Sequence, residues 1–301
     1  MSATPFARLD HLVLAVRDLD AAAVAYAAVL GRSPSWRGTH PAYGTANVLF
    51  GLDNCYVELL ALGGDAPAHP VAAALASYLE RRSEGLFALA FGSDDLAASH
   101  RLLSSAGLDP GPIADGVAHA SDGAVRRWRS FSLSRTDARG VNAFVIAHED
   151  GDAVPPAAPT AEPHAIVVGV DHVVVFSDDL AAALTLWTET FGIPERWRRE
   201  LPERGTVNVG LRLGGVTFEL VGPLGGDTGT RGERTWGLAF DVGDVDAAVA
   251  RLRTSAVPVS EARTGLAPAT RVCTVKRPDG LPTLLIEHQG RAGRTGPRSH
   301  A

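Results

Sequence analysis

The amino-acid sequence contains two copies of one unit, and this duplication limits the folds that the chain can adopt. Residues 10–31 and 171–192 share an Asp-His pair, an apolar run, a later aspartate and a closing glycine. Aligning His11 with His172 gives an offset of 172 − 11 = 161 residues, which continues without a gap as far as Glu58. A repeat of this length predicts two domains with the same fold.

Each copy has the pattern of a strand, a helix and three further strands. Aliphatic residues over 9–16 predict a buried strand, Asp18 or Asp20 is placed to cap a helix, and Gly31 to end it. A short helix is predicted over 71–82, after which a second strand-helix-three-strand cycle begins with a helix capped by Asp94 or Asp95. The second half repeats both cycles. The sequence therefore predicts four βαβββ modules.

Composition points to a globular protein that acts on small molecules. Of 301 residues, 46% are hydrophobic and 21% charged, and the net charge is −6. Nucleic-acid-binding proteins usually present a basic face, so no nucleic-acid partner is expected. No apolar run is long enough for a membrane span, so no membrane partner and a cytoplasmic location are expected. Cys55 and Cys273 lie in different halves and are predicted to be reduced, buried thiols.

The domain boundary is predicted in a stretch rich in proline, alanine and acidic residues, which cannot bury an apolar face. The arginine-rich tail among glycine and proline has nothing to pack against and is predicted to be disordered. The predicted organisation is a first domain over 1–148, a linker over 149–164, a second domain over 165–290 and a tail over 291–301.

The modules, with His and Glu on their strands and the phrase at 240–248 (FDVGDVDAA), resemble the vicinal oxygen chelate superfamily, which includes glyoxalases, bleomycin resistance proteins and extradiol dioxygenases. The first half, with His40-Pro41, the Gly-Thr-Ala-Asn at 44–47 and the Tyr-Val-Glu-Leu-Leu at 56–60, is similar to a glyoxalase-like domain. The resemblance implies an α+β fold of two tandem domains, each of two paired βαβββ modules forming a cup-shaped mixed sheet.

The resemblance also implies a metal site in the C-terminal cup. Ligands in metal-dependent members come from the first and last strands of each module, and these positions match His172, Glu219 and Glu287, with Gly237 in place of a fourth ligand. Strand alternation predicts that both carboxylates point into the cup, where a divalent cation would offset their charges. One histidine and two carboxylates suit Mn²⁺, Fe²⁺, Ni²⁺ or Mg²⁺.

The N-terminal cup retains only part of this set. His11 and Glu58 are present, whereas the other two positions hold Ala88 and Ala147, so a degenerate metal site is predicted. With Asn47 these residues form a possible second pocket. The alternative is that the His-Glu pairs are inherited remnants held by hydrogen bonds and that the shared Gly-Thr-x-Asn is structural.

Glu219 and Glu287 are the predicted catalytic residues, and Trp236, Asn208 and Arg212 are predicted to bind substrate, although strand aromatics are more often core residues. The first functional hypothesis is a divalent-metal-dependent lyase or isomerase acting on a small oxygenated substrate. The alternative is a metal-free protein that binds or sequesters a small molecule, as resistance proteins of the superfamily do. A monomer or homodimer is expected.

Overall fold

The protein folds into two eight-stranded mixed sheets, one in each half. The computed structural model describes residues 4–64, 69–149, 154–226, 232–276 and 281–290. The predicted tail over 291–301 lies outside the described residues. The first half contains β1 (Arg8–Ala15), α1 (Leu19–Leu30), β2 (Trp36–His40), β3 (Thr45–Gly51), β4 (Tyr56–Leu62), α2 (Pro70–Arg81), β5 (Gly85–Gly92), α3 (Leu96–Ser105), β6 (Ala114–His119), β7 (Val125–Leu133) and β8 (Ala143–His148). The second half contains β9 (Val167–Ser177), α4 (Leu180–Leu184) continued by a π-helical turn (Thr185–Thr190), β10 (Glu195–Leu201), a 3₁₀ turn (Pro202–Arg204), β11 (Thr206–Leu213), β12 (Val216–Pro223), β13 (Glu233–Val242), α5 (Val245–Thr254), β14 (Arg263–Thr264), β15 (Thr270–Val275) and β16 (Thr283–His288).

The strand order confirms the duplication and the α+β fold. The first sheet runs β1-β4-β3-β2-β6-β7-β8-β5 and closes into a barrel, whereas the second runs β10-β11-β12-β9-β13-β16-β15-β14. Read from β2, the two orders are the same. A single residue pair, Thr39 with His119, joins β2 to β6 and closes the first barrel. The second sheet ends at β10 and β14 in the described residues, so its cup is open along that side.

The helices begin and end as their sequence signals predict. Asp18 accepts hydrogen bonds from the backbone N–H groups at the start of α1, and Gly31 ends that helix in the left-handed region with φ 68°. Asp95, Asp179 and Asp244 cap α3, α4 and α5 in the same way. The predicted helix over 71–82 is confirmed as α2, which is inserted between the two modules of the first half.

Helix α2 covers part of the concave face of the first sheet. Leu75 and Leu79 pack against Val13, Leu60 and Ala88, which point inward from β1, β4 and β5. In the second half the described residues between β12 and β13 hold no helix. Among the described residues, a helix therefore covers the N-terminal cup at a place where the C-terminal cup has none.

The two halves share one hydrophobic core. Phe91 of β5 stacks on Phe6 with ring centroids 4.3 Å apart and meets Trp187, Phe191 and Phe218 of the second half at 5.8–6.3 Å. All five side chains are fully buried, and a single apolar cluster includes residues of both sheets. The halves are thus packed together by the same burial of apolar surface that stabilises each of them.

Polar contacts also tie the halves together. Arg251 of α5 donates to the carbonyl oxygens of Ala28 and Val29, at the carboxyl end of α1, and to the Ala165 carbonyl. These carbonyls have no partner within the helix, so the guanidinium satisfies them as a side-chain cap. Arginine at this place links the last helix of one half to the first helix of the other.

The described part of the predicted linker lies against the first half. Residues 154–164 are mostly exposed, but Val154 and Ala157 are buried, and backbone bridges join Pro156 to Gly51 and Pro159 to Arg32. Residues 154–164 are thus packed along the surface of the first half. The predicted domain boundaries remain a prediction.

Both cysteines are free thiols, with Cys273 buried and Cys55 partly buried. Burial raises the pKa of the Cys273 thiol to about 11, so it is unreactive at neutral pH. Within the described ranges, no helix has both the length and the apolar character needed to cross a membrane.

Candidate functional site

Each sheet carries an Asp-His pair at a β-bulge of its first strand. In the second half Val170 pairs with Phe240 and His172 pairs with Ala239, which leaves Asp171 as the extra residue between them. A bulge of this kind breaks the alternation of side chains and re-aims them. As a result the two neighbours reach each other, and His172 Nδ1 donates to Asp171 Oδ1 at 2.8 Å.

The other ring nitrogen of His172 faces a carboxylate on the neighbouring strand β12. His172 Nε2 lies 3.5 Å from Glu219 Oε2. Asn208 of β11 donates from Nδ2 to Glu219 Oε1 at 2.6 Å, and Thr206 donates to Asn208 Oδ1 at 3.0 Å. The predicted residues His172, Glu219 and Asn208 are therefore brought together on three adjacent strands, His172 and Glu219 by opposite charge and Glu219 and Asn208 by a hydrogen bond.

The same cluster recurs in the first half at the offset of 161. His11 Nδ1 donates to Asp10 at 2.7 Å, His11 Nε2 lies 3.5 Å from Glu58, and Asn47 donates to Glu58 at 2.7 Å. The predicted second-pocket residues thus also meet. The two sites differ in access, since the side chain of His11 is 3% exposed and that of His172 is 16% exposed.

Electrostatics favours a protonated imidazole in the C-terminal site. Burial acts to lower the pKa of His172, but the hydrogen bond to Asp171 and the charges of Glu219 and Asp171 together raise it. Burial acts to raise the pKa of Asp171, but hydrogen bonds from His172 and His288 hold it well below its usual range. The imidazolium is thus stabilised between two carboxylates.

The aspartate is also held by a histidine from the last strand. His288 Nε2 donates to Asp171 Oδ2 at 2.6 Å, and in the first half His148 Nε2 donates to Asp10 Oδ1 at 3.1 Å. Neither aspartate nor either of these histidines was among the predicted site residues. The repeated Asp-His dipeptide at 10–11 and 171–172 is the sequence signal that could have identified the aspartates.

The remaining predicted residues line the open cup. Trp236 is 48% exposed, so it is not a core residue, and its ring meets Phe176 edge-on at 5.3 Å. Arg212 donates to the hydroxyl of Thr217, the residue paired with His172 in the sheet. Trp197 lies over Gly210, which has no side chain to displace it. Arg212 is thus placed beside the strand position of His172, whereas Trp236 lies against Phe176, four residues further along β9, and the binding of substrate by both remains a prediction.

Family models match both halves of the chain. The model of the Glyoxalase-like domain matches residues 9–167, more than half of the chain, and the model of the Glyoxalase/Bleomycin resistance protein/Dioxygenase superfamily matches residues 171–274. The chain belongs to the vicinal oxygen chelate superfamily. No curated protein matches its sequence.

Solved structures share this superfamily fold over nearly the whole chain. A mutant of 4-hydroxymandelate synthase from Streptomyces coelicolor has a TM-score of 0.66 at 18% identity, covering 96% of this chain and 94% of that one. The Mn(II)-bound glyoxalase from Novosphingobium aromaticivorans has a TM-score of 0.63 at 15% identity, covering 98% and 87%. A hypothetical protein from Staphylococcus aureus has a TM-score of 0.63 at 13% identity, covering 93% and 99%. At these identities the likeness concerns the fold alone.

The metal-ligand set expected for a vicinal oxygen chelate protein is not assembled in the described residues. Glu287 Oε2 accepts a hydrogen bond from the Val245 N–H at the start of α5, so this carboxylate lies on the helix side of the sheet rather than in the cup. The prediction that Glu287 points inward with Glu219 is therefore wrong. The error lies in the assigned face, because Leu285, two residues away, belongs to the core beneath the helices.

The cup face of β16 offers one polar side chain, His288, and this imidazole is bound to Asp171. Ile286 and Leu284 of the same strand cluster with Ala239 and Val272, and Ala239 is paired with His172 in the sheet. Among the described residues no group of three or more His, Cys, Asp or Glu side chains is placed to hold a metal ion. His172 and Glu219 supply two donors, so the residues present do not fit the three-ligand site implied by the resemblance.

Proposed function

We propose that this vicinal oxygen chelate protein binds a small oxygenated molecule in its C-terminal cup without a metal ion. The observation that carries the proposal is the network of Asp171, His172, Glu219 and Asn208. Its members satisfy one another through hydrogen bonds and opposite charges, as a buried polar network must if it is to be stable without an added cation.

The network supplies one hydrogen-bond donor to a ligand. Nδ1–H of His172 is committed to Asp171, whereas Nε2–H faces Glu219 Oε2 at 3.5 Å without a hydrogen bond, so a carbonyl, carboxylate or phenolate oxygen of a ligand can accept this second proton. The exposed rings of Trp236 and Trp197 and the edge of Phe176 offer apolar surface for the body of the ligand. A planar molecule with oxygen at one end suits this arrangement, as small-molecule sites combine an apolar wall with few polar groups.

The proposal is tested with catechol, a planar molecule with two neighbouring oxygens, added to the full chain after treatment with EDTA. Quenching of tryptophan fluorescence should report binding that is unchanged by EDTA. Trp236→Ala and His172→Gln should each weaken it, whereas His11→Gln, the matched change in the other half, should leave it unchanged. Binding that disappears with EDTA, or that is indifferent to Trp236→Ala and His172→Gln, would contradict the proposal.

The second candidate is the divalent-metal-dependent lyase or isomerase, in which a bound ion would polarise a substrate oxygen. It is favoured by one observation, the convergence of His172 Nε2 and Glu219 Oε2 to 3.5 Å. At a free ion concentration of about 100 times the dissociation constant, binding of such an ion would raise the free energy of unfolding by roughly 2.7 kcal/mol. A thermal shift with Mn²⁺ that is lost in Glu219→Gln and kept in Glu58→Gln would replace the metal-free proposal with this one.

A further inference from the structure

The interior of the N-terminal barrel contains an acceptor without a donor. Asn47 is 3% exposed, and its Oδ1 is buried with no hydrogen-bond partner among the described residues. Its orientation follows from Glu58, because the carboxylate can only accept and therefore takes Nδ2 at 2.7 Å. The second proton of Nδ2 points to His40 Nε2 at 3.2 Å. Both donors of the amide are thus used, and the carbonyl oxygen is left over.

The second half shows how this acceptor is satisfied elsewhere. There the hydroxyl of Thr206 donates to Asn208 Oδ1 at 3.0 Å. The corresponding hydroxyl in the first half, that of Thr45, instead meets His40 Nδ1 at 2.8 Å. The offset of 161 places Leu201 where the first half has His40. Only the first half therefore has an imidazole at this position, and it binds the threonine hydroxyl that would otherwise donate to the asparagine.

Leaving a buried acceptor unpaired destabilises a protein, because the group has lost its water and gained no partner. Two copies of one unit therefore differ at one point, where the first copy keeps an unsatisfied carbonyl inside a covered barrel. A hydroxyl or amide group of a bound molecule is the partner that this carbonyl lacks.

A cation without an ion pair among the described residues belongs to strand β7 of the same barrel. The Arg126 guanidinium lies 5.7 Å from the ring centroids of both Trp36 and Tyr56, and no ion pair or hydrogen bond joins it to another described residue. Tyr56 in turn stacks on His11 at 4.3 Å, so the arginine lies within reach of the polar cluster. Arginine is the side chain best suited to bind a carboxylate through two parallel hydrogen bonds.

Leu49 relates the aromatic rings beside Arg126 to Asn47. Leu49 packs with Trp36 and Tyr56, and it lies two residues from Asn47 on the same face of β3. Residues two apart on a strand are separated by about 7 Å. Leu49 and Asn47 are thus separated by a length close to that of a six-membered ring with a substituent at each end, and a molecule of this size is chosen as the probe.

We propose that the N-terminal barrel binds a small organic acid, with its carboxylate on Arg126 and a hydroxyl group at its far end donating to Asn47 Oδ1. The rings of Trp36 and Tyr56 pack against its body. This site is separate from the one proposed in the C-terminal cup, because it uses side chains of the other half.

The test uses 4-hydroxybenzoate as the probe, titrated calorimetrically into the full chain. Binding is expected, with loss of about tenfold or more in affinity for 4-hydroxybenzamide, which lacks the charge, and for benzoate, which lacks the hydroxyl. Arg126→Gln should cause a similar loss. Arg127→Gln is the matched control, since Arg127 is the exposed neighbour on the same strand.

His40→Leu gives an independent readout. It introduces the residue found at this place in the second half and frees Thr45 to donate to Asn47 Oδ1, so 4-hydroxybenzoate should then bind no better than benzoate. The proposal is overturned if 4-hydroxybenzoate does not bind, or if Arg126→Gln and Arg127→Gln bind it alike. It is also overturned if His172→Gln rather than Arg126→Gln abolishes binding, because the ligand would then lie in the C-terminal cup.

Discussion

Truncating Phe91 tests whether the two halves unfold as one unit. The side chain is fully buried, and it contacts Phe6 of its own half and Trp187, Phe191 and Phe218 of the other. Replacing a buried phenylalanine by alanine removes its transfer free energy and leaves a cavity, at a cost of about 4 kcal/mol. Phe91→Ala should therefore destabilise both halves.

The size of the shift in melting temperature distinguishes one unit from two. Unfolding entropy is about 2.1 cal/mol/K per residue, so 301 residues unfolding together give about 0.6 kcal/mol/K. A loss of about 4 kcal/mol then lowers the melting temperature by roughly 6 °C. If only one half unfolded, its smaller entropy would double the shift to roughly 13 °C and leave the other half unchanged.

The assay is scanning calorimetry combined with hydrogen exchange read on peptides from each half. Phe131→Ala is the matched control, because Phe131 is equally buried but packs within the first half, edge-on to His100. Phe131→Ala should lower the temperature of a single sharp transition. Phe91→Ala should lower it and also broaden it, because the contact between the two halves is weakened. Two transitions in the unmodified protein, or peptides of the second half that keep their stability in Phe91→Ala, would refute the reasoning.

Two further predictions concern stability. Burial acts to lower the pKa of His11, but Asp10 and Glu58 raise it above 6.5. The stability that protonated His11 contributes is therefore complete below pH 6.5 and is lost as pH rises through the raised pKa. Urea unfolding should show this decline in the free energy of unfolding at alkaline pH, and the decline should be smaller in His11→Gln. Arg251→Met leaves the carbonyls that it caps without a donor and should cost about 2 kcal/mol, whereas Arg253→Met, on the same helix with only an exposed ion pair, should cost less than about 0.5 kcal/mol. Equal costs for the two arginine changes would show that the cap contributes nothing.

The fold could be predicted because its signals are local and occur twice. Capping aspartates, terminal glycines and strand-forming runs recur at a constant offset, so each half supports the interpretation of the other. It is harder to predict from the sequence which face of the sheet a strand residue occupies, because a shift of one residue exchanges the two faces. Glu287 was assigned to the wrong face for this reason, whereas Glu219, whose repeat partner is Glu58, was placed correctly beside a histidine.

Other parts of the site depend on contacts that no local pattern specifies. Asp171 joins the site only because the bulge between Val170 and His172 turns it toward the imidazole, and bulges leave no fixed signature in one sequence. His288 reaches Asp171 from a strand 117 residues away. His40 is buried where the barrel closes through β2 and β6, and no local pattern in the sequence predicts this closure.

The shared aromatic core also bears on how the chain is made. The first half leaves the ribosome with Phe6 and Phe91 already present, but the rings that cover them, Trp187, Phe191 and Phe218, are translated later. At about 5–20 residues per second, the roughly 130 residues between Phe91 and Phe218 take on the order of 6–25 seconds to appear. During that interval the nascent first half exposes the apolar surface that the second half covers in the folded protein. Synthesis of the second half is therefore the step that removes this surface from contact with other chains.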